Sequence, residues 1–157
     1  ATVDLSDQYP ESVQVAHPLF REFGGVPRFS GAILTLRVFE DNALVQRSLE
    51  TGGAGRVLVI DGGGSLRCAL LGGRLAGLAR DNGWAGLLIN GCVRDSNELR
   101  QVSIGIRALA VVPRRPSKAG TGEKGIQVSF AGVDFVPGHY LYADEDGVLV
   151  APRNLLQ

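Results

Sequence analysis

The chain consists of short apolar runs that are separated by glycine-rich breaks. Three of these runs are almost continuously apolar: residues 56–60 (RVLVI), 85–89 (AGLLI) and 106–112 (IRALAVV). Continuous apolar runs of this length are typical of strands buried on both faces of a sheet. Residues 32–39 (AILTLRVF) alternate apolar and polar positions instead, which also predicts a strand. The pattern therefore predicts a sheet with a largely buried centre.

Residues 66–80 (LRCALLGGRLAGLAR) place apolar side chains at helical spacing, so we predict a helix there. Gly72 and Gly73 interrupt it, and each costs about 1 kcal/mol relative to alanine. Glycines inside a helix need a reason, and the close approach of another group to the backbone is a common one. Cap candidates and amphipathic spacing predict shorter helices at residues 2–11, 42–49 and 96–100.

The order of these elements predicts the fold class. A strand at 56–60, a helix at 66–80 and a strand at 85–89 make a βαβ unit with parallel strands. Turn signals in the second half of the chain separate short, antiparallel strands at residues 126–130, 133–136, 140–142 and 148–150. No internal repeat or linker interrupts the pattern. We therefore expect one α/β domain over residues 1–157, with a central βαβ unit and a β-rich C-terminal half.

Composition and charge exclude several classes of protein. Of the 157 residues, 22 are glycine, without the three-residue period of collagen. The 16 basic residues oppose 16 acidic ones, and a net charge of zero argues against a nucleic-acid-binding surface and against electrostatic docking to a membrane. Cys68 and Cys92 lie in apolar contexts without a CxxC spacing. We therefore expect buried free thiols and a cytoplasmic location.

Two familiar motifs are incomplete. Residues 62–64 are glycines that follow a predicted strand, but Arg67 stands at the third glycine position of the dinucleotide fingerprint G-x-G-x-x-G. Arg67 also stands where the serine-hydrolase elbow G-x-S-x-G needs its last glycine. His17 and His139 are isolated and no His/Cys cluster occurs, so a zinc site with nitrogen and sulfur ligands is not expected.

Arg94 and Asp95 follow a predicted buried strand, and binding sites in α/β sheets lie at the carboxyl ends of strands. Arginine offers a planar fork for a carboxylate, and aspartate offers a hard oxygen ligand for Mg²⁺ or Mn²⁺. Gly72 and Gly73 lie one strand earlier, where bare backbone N–H groups can bind an anionic oxygen. Together these residues predict a site for a small 2-oxo acid. The alternative is structural: an ion pair at the strand end and a helix cap by Asp95.

Five segments resemble one superfamily. It unites the regulator of ribonuclease E activity A proteins with the class II 4-hydroxy-4-methyl-2-oxoglutarate aldolases. The similarity runs from about Leu5 to Val150, nearly the whole chain, and rests on the order and spacing of the segments. They are residues 61–64 (DGGG), 69–73 (ALLGG), 91–95 (GCVRD), 104–108 (IGIRA) and 142–147 (YADEDG).

The resemblance implies an RraA-like, swivelling β/β/α domain, similar to the phosphohistidine domain. It also implies a homotrimer with sites near subunit interfaces, with a dimer of trimers as an open alternative. The implied cofactor is a divalent cation, Mg²⁺ or Mn²⁺, bound mostly through water. The implied reaction is aldol cleavage of 4-hydroxy-4-methyl-2-oxoglutarate to two pyruvates, with decarboxylation of oxaloacetate as a side activity.

The resemblance also implies roles for individual residues. Arg94 matches the arginine that holds the pyruvyl carboxylate, and Asp95 matches the metal-binding aspartate. The backbone segment that contacts substrate matches Gly72, Gly73, Arg74 and Leu75.

One position departs from the aldolase pattern. Aldolases often place an acid 21 residues before the arginine, and Gly73 stands there in this chain. A second pattern in the family resembles Gly, 20 residues, Arg-Asp, two residues and an acid, which Glu98 completes. Glu98 is thus expected to act on the metal through water. The alternative is a solvated helix residue.

A non-catalytic role is the other candidate function: a protein that docks on ribonuclease E and inhibits it. Members of this kind need not keep the Arg-Asp pair, so the presence of Arg94 and Asp95 favours the enzyme. The one local basic cluster lies in the loop at residues 113–125, where we expect solvated side chains and no lysine placed for a Schiff base. Its members are Arg114, Arg115, Lys118 and Lys124.

Overall fold

The computed structural model describes residues 1–157 and contains four short helices and twelve strands. The helices are α1 (Thr2–Gln8), α2 (Ala43–Leu49), α3 (Gly73–Asp81) and α4 (Ser96–Leu99). The strands are β1 (Gln14–Val15), β2 (Arg21–Glu22), β3 (Phe29–Arg37), β4 (Val57–Asp61), β5 (Ala69–Leu71), β6 (Gly86–Val93), β7 (Gly105–Val111), β8 (Glu123–Lys124), β9 (Val128–Phe130), β10 (Val133–Phe135), β11 (Tyr140–Asp144) and β12 (Gly147–Ala151).

Ten of the strands form one curled mixed sheet in the order β1-β12-β11-β3-β4-β6-β7-β2, with β5 beside β6 and β8 beside β3. The central strands β3, β4, β6 and β7 run parallel. Strands β11 and β12 pair antiparallel, and β9 and β10 form a separate antiparallel hairpin. The predicted α/β class, the parallel pair in the βαβ unit and the antiparallel C-terminal half are therefore confirmed.

The apolar run in β4 is explained by two cores, one on each face of the sheet. Leu58 and Ile60 belong to a cluster that includes side chains of α2 and α3. Val57 and Val59 belong to a second cluster, which includes side chains of β9 and β10. All four side chains are fully buried. Because successive side chains of a strand face opposite sides of the sheet, a strand between two cores is apolar at every position.

The helix predicted at residues 66–80 is wrong in its first half, because Ala69–Leu71 forms strand β5 and the helix begins only at Gly73. Strand β4 pairs with β6 as far as Asp61 and Asn90. Strand β5 then continues on the same side of β6, pairing at Cys92 and Val93. Sheet pairing of the last residues of β6 thus overrides the local helical spacing. The two glycines consequently lie at the start of a helix and not inside one.

The remaining differences are smaller. Strands β1, β2 and β8 have two residues each, which is too short to leave a periodic signal in the sequence. Strand β6 continues to Val93, four residues beyond the predicted end, with a register shift between Ile89 and Cys92. Cys68 and Cys92 are buried free thiols, as predicted. None of the helices is long and apolar enough to cross a membrane.

Candidate active site

The ends of β5 and β6 bring the two predicted site segments together. Leu71 pairs with Val93 in the parallel ladder, and the Arg94 amide continues it by donating to the Leu71 carbonyl at 2.9 Å. The segments that follow β5 and β6 both leave the sheet at this edge, one into α3 and the other into α4. Gly72 and Gly73 therefore lie beside Arg94 and Asp95.

The Asp95 carboxylate joins these two turns. Its Oδ2 accepts a hydrogen bond from the Gly73 amide at 2.9 Å. Gly72, the N-cap of α3, has no side chain of its own to accept that bond, so Asp95 supplies the cap from the neighbouring strand end. No side chain caps α4, and Arg94 and Asp95 take part in no ion pair. The ion pair of the structural alternative is therefore absent, whereas the helix cap by Asp95 is present but is made to α3 and not to α4.

Asp95 itself has a left-handed backbone conformation, with φ of 61° and ψ of 44°. Aspartate adopts this region more readily than most residues, yet a non-glycine residue there still costs on the order of 1–3 kcal/mol. The conformation turns the Asp95 side chain back over the start of α3. Such strain clusters at functional sites, where the surrounding structure maintains it.

The two glycines leave room for carboxylates that approach their backbone closely. A Cβ atom on Gly72 would lie 2.6 Å from Oδ2 of Asp95, well inside van der Waals contact. A Cβ atom on Gly73 would overlap the Glu98 carboxylate. The Glu98 carboxylate thus occupies the space into which a side chain at position 73 would project. Asp95 and Glu98 flank the same two backbone residues.

This turn forms one wall of a cleft of about 280 Å³. That volume is near the lower end of the range of about 300–1,000 Å³ that is usual for ligand sites, so the cleft suits a small molecule. Its lining residues come from the strand ends, from the start of α3 and from the loop after β7. They are Asn42, Ala69, Leu71, Gly72, Arg74, Leu75, Arg94, Asp95, Arg115, Pro116 and Lys118.

The cleft is strongly cationic although the chain has no net charge. Arg74, Arg94, Arg115 and Lys118 line it, and Asp95 is the only carboxylate among the lining residues. None of the four cations belongs to any of the six ion pairs in the chain. Arg94 is half-buried, which strengthens its attraction for an anion. The cleft is therefore suited to an anionic ligand.

The first turn of α3 adds backbone donors to this wall. The amides of a helix's first turn have no acceptor within the helix. Gly73 donates to Asp95, which leaves the amides of Arg74 and Leu75 beside the cleft, and Ala76 is the first to donate to the helix backbone, at Gly72. Leu75 also packs its side chain into the buried core, which fixes the turn.

The donors near the turn limit the kind of metal that could bind. No group of three or more His, Cys, Asp or Glu side chains is close enough to hold a metal ion. Asp95 uses Oδ2 for the Gly73 amide, and its other oxygen, Oδ1, accepts no hydrogen bond from the chain. Mg²⁺ is commonly held by one or two carboxylates and keeps several waters. Asp95, with Glu98 beside it, fits a largely hydrated cation of this kind and not a zinc site.

Asn42, Arg115 and Lys118 line the other side of the cleft, which the sequence pattern did not predict for any of the three. The loop cations are exposed, as expected, but Arg115 and Lys118 nevertheless line the cleft. The Lys118 ammonium donates to Oδ1 of Asn42 at 2.9 Å, and Nδ2 of Asn42 donates to the Leu70 carbonyl. The only signal in the sequence was the local basic cluster itself, which does not indicate which cations face inward.

Asp41 fixes the loop that carries Lys118. Its side chain is only 2% exposed. Its Oδ2 accepts the Gly120 amide at 3.0 Å, and its Oδ1 accepts the Ala43 amide at the start of α2. Burial raises the pKa of Asp41, but these hydrogen bonds outweigh burial and hold the pKa below its usual value. Asp41 is therefore ionised in the folded protein.

The weaker candidates lie elsewhere. The glycines at residues 62–64 make a turn in which the Gly63 amide donates to Oδ1 of Asp61. The His17 ring lies against Gly132 in the β9–β10 hairpin. His139 lines a separate cavity that shares no residue with the cleft.

Known proteins resemble the chain over its whole length. A protein-family model described as RraA-like, Aldolase/RraA, matches residues 2–150. A protein of Alkalilimnicola ehrlichii is 51% identical over 156 residues, which cover 99% of this chain and 97% of the relative. It is named, provisionally, a 4-hydroxy-4-methyl-2-oxoglutarate aldolase.

Two solved structures have nearly the same fold and carry other names. A Thermus protein described as the RNA-processing inhibitor RraA is 54% identical, with a TM-score of 0.95 and coverage of 98% of this chain and 93% of that one. A Geobacillus kaustophilus protein described as an S-adenosylmethionine:2-dimethylmenaquinone methyltransferase is 48% identical, with a TM-score of 0.97 and coverage of 99% and 97%. The family match and these full-length similarities establish that this chain belongs to the RraA-like family.

Proposed function

We propose that this protein is a divalent-metal-dependent class II aldolase that cleaves 4-hydroxy-4-methyl-2-oxoglutarate to two pyruvates and decarboxylates oxaloacetate as a side activity. One observation carries the proposal: Arg94 and Asp95 line the same small cationic cleft. Arg94 has no ion-pair partner there, and Oδ1 of Asp95 accepts no hydrogen bond from the chain. The aldolase name of relatives at 51–53% identity supports the same conclusion.

Arg94 and the first turn of α3 bind the pyruvyl end of the substrate. The Arg94 guanidinium offers two parallel N–H donors to a carboxylate, and such bidentate pairs fix orientation as well as position. The amides of Arg74 and Leu75 donate to the remaining carboxylate and carbonyl oxygens. This geometry holds the C3–C4 bond in one orientation, which lowers the entropic part of the barrier.

Cleavage of that bond leaves an electron pair on C3, which is delocalised onto the C2 oxygen. Mg²⁺ or Mn²⁺, when bound, stabilises this negative charge as a Lewis acid. Asp95 is the residue that would hold the cation, through its free Oδ1. Glu98, whose carboxylate lies against Gly73, accepts the proton of the C4 hydroxyl through a water molecule and returns it to C3 by the same route, which completes the second pyruvate. Decarboxylation of oxaloacetate leaves the same electron pair on C3, so one site serves both reactions.

Replacement of the two central residues tests this assignment. In Asp95→Asn, which keeps the shape of the side chain, we expect pyruvate formation to fall about 100-fold or more, because loss of a metal-holding carboxylate weakens metal binding. In Arg94→Lys the KM rises about tenfold, since a lysine cannot form the bidentate pair. A chelator abolishes the activity of the unmodified protein, and added Mg²⁺ restores it. Coupled assay of pyruvate release measures all three.

Arg80 and Asp81 provide a matched control, because they are a second Arg-Asp dipeptide at the far end of α3, exposed and paired with each other. Arg80→Lys and Asp81→Asn should leave the rate unchanged. Full activity of Asp95→Asn, or activity that survives complete removal of metal, would contradict the proposed enzyme.

The Glu98 carboxylate occupies the space that a side chain at position 73 would fill, which allows a second test of its role as the base. Glu98→Ala should lower kcat about 10- to 100-fold, because it removes the base. Gly73→Asp on that background places a carboxylate in the vacated space, so the double variant should recover most of the lost kcat. Steady-state kinetics of the two single variants and the double variant measure the coupling. If Glu98→Ala keeps full kcat, Glu98 is a solvated helix residue.

Inhibition of ribonuclease E is the second candidate function, favoured by the likeness to the Thermus RNA-processing inhibitor. In this role the chain would dock on the ribonuclease without using its cleft. We expect saturating protein to slow RNA cleavage by ribonuclease E, with Asp95→Asn as effective as the unmodified chain. An unchanged cleavage rate would remove this candidate. The methyltransferase name finds no support in the sequence, because no glycine-rich motif for a methyl donor is complete.

We further propose that the chain forms a homotrimer, with a dimer of trimers as the alternative, and that it acts in the cytoplasm. Phe39 is 55% exposed and Leu66 is 59% exposed, and both follow carboxyl ends of central strands, at the edge of the sheet that carries the cleft. A partner subunit would cover them. The two free thiols agree with a reducing compartment. Light scattering should give three or six times the 16.6 kDa of one chain, and a monomer mass would contradict the trimer.

A further inference from the structure

The chain has only two lysines, Lys118 and Lys124, and they lie in different surroundings. Both side chains are exposed, yet only Lys118 lines the cationic cleft. We propose that Lys118 is a site of covalent modification, at which a small acyl phosphate bound in the cleft transfers its acyl group to the lysine amine. This modification is separate from the aldolase reaction and depends only on the charge and size of the cleft.

A buried partner holds Lys118 at the wall of the cleft. The Lys118 ammonium donates to Oδ1 of Asn42 at 2.9 Å. Asn42 is only 6% exposed and is itself anchored, because its Nδ2 donates to the Leu70 carbonyl of β5 at 3.2 Å. A lysine has three N–H donors, so the amine can lose one proton and still donate to Asn42. The nitrogen that would attack an acyl group is therefore kept beside the cleft.

The backbone on both sides of Lys118 is also fixed. Before it, the Ser117 carbonyl accepts the Asn42 amide at 3.1 Å. Beyond it, the buried Asp41 carboxylate accepts the Gly120 amide at 3.0 Å. A nucleophile that is positioned before its partner binds loses less entropy on the way to the transition state. Lys118 thus has an advantage over a lysine whose side chain is free in solvent.

The charge and size of the cleft select the class of acyl donor. Its four cations include Arg94 and Arg115, and neither of these belongs to an ion pair. Arginine binds phosphate oxygens through two parallel N–H donors. A cleft of about 280 Å³ accommodates a phosphoryl group with a short acyl chain but not a large acyl carrier. A small acyl phosphate matches both the charge and the volume.

The transfer is a simple acyl substitution. The unprotonated amine of Lys118 attacks the acyl carbon, so that a bond forms between Nζ and this carbon while the bond from the carbon to the phosphate oxygen breaks. The electron pair of the broken bond leaves with the phosphate, and the surplus proton of the amine passes to water. Arg115, from the same loop, stabilises the negative charge of the departing phosphate. The product is an uncharged amide, so the cleft loses one of its four cations.

Lys124 is an internal control for the test, because it is also exposed but lies outside the cleft. The unmodified protein is treated with acetyl phosphate, and a second sample with acetic anhydride, a neutral donor without a phosphoryl group. Tandem mass spectrometry gives the rate of acetylation at each lysine. We expect the ratio of the Lys118 rate to the Lys124 rate to be about tenfold higher with acetyl phosphate, because charge-assisted hydrogen bonds hold only this donor in the cleft.

Two further measurements separate binding in the cleft from simple exposure. Arg115→Gln should remove most of the preference of acetyl phosphate for Lys118, whereas Arg114→Gln, at an exposed neighbour that does not line the cleft, should leave it unchanged. Inorganic phosphate at constant ionic strength should slow acetylation of Lys118 but not of Lys124. Equal rate ratios for the two donors would overturn the site, as would equal effects of the two arginine variants or a lack of protection by phosphate. Pyruvate release tests the aldolase separately, so the two proposals can fail independently.

Discussion

The hydrogen bond between the Gly73 amide and the Asp95 carboxylate is the interaction on which the candidate site depends. It links two turns that leave the sheet at the same edge, and it caps α3 with a side chain from outside that helix. The left-handed backbone of Asp95 and the missing side chain at Gly72 both serve this contact. With the contact in place, one oxygen of Asp95, the Arg94 guanidinium and the free amides of α3 lie along one cleft.

Much of the fold could be predicted because the central strands are buried on both faces, which leaves a clear apolar signal at residues such as Leu58 and Val59. Strand β5 could not be predicted, since residues 69–71 belong to a run with helical spacing and form a strand only by pairing with the end of β6. Arg94, Asp95, Gly72 and Gly73 could be selected as site residues because of their places near the ends of predicted elements. The resemblance to a known family then supplied their roles. The positions of Asp41 and Lys118 at the site could not be predicted, because their hydrogen bonds join residues more than 70 positions apart.

The chain has no net charge, yet its cleft carries an excess of positive charge. Equal numbers of acidic and basic residues argue against a broad basic surface of the kind that binds nucleic acid. They do not prevent four cations and one carboxylate from lining a single cleft. Similar chains carry names as different as aldolase, RNA-processing inhibitor and methyltransferase. The chemistry of this cleft favours the first, because an Arg-Asp pair with free donors suits a small carboxylate and a hydrated cation.

Diffraction from crystals grown with Mn²⁺ and oxalate, a planar mimic of the pyruvate enolate, would show whether Asp95 holds a metal ion and Arg94 a carboxylate. Anomalous scattering locates the manganese independently of any assumption about its ligands. We expect one manganese ion held through the Asp95 carboxylate, with oxalate bound to the Arg94 guanidinium and to the amides at the start of α3. Oxalate bound in the cleft without manganese at Asp95, or manganese and oxalate bound only elsewhere on the chain, would contradict it.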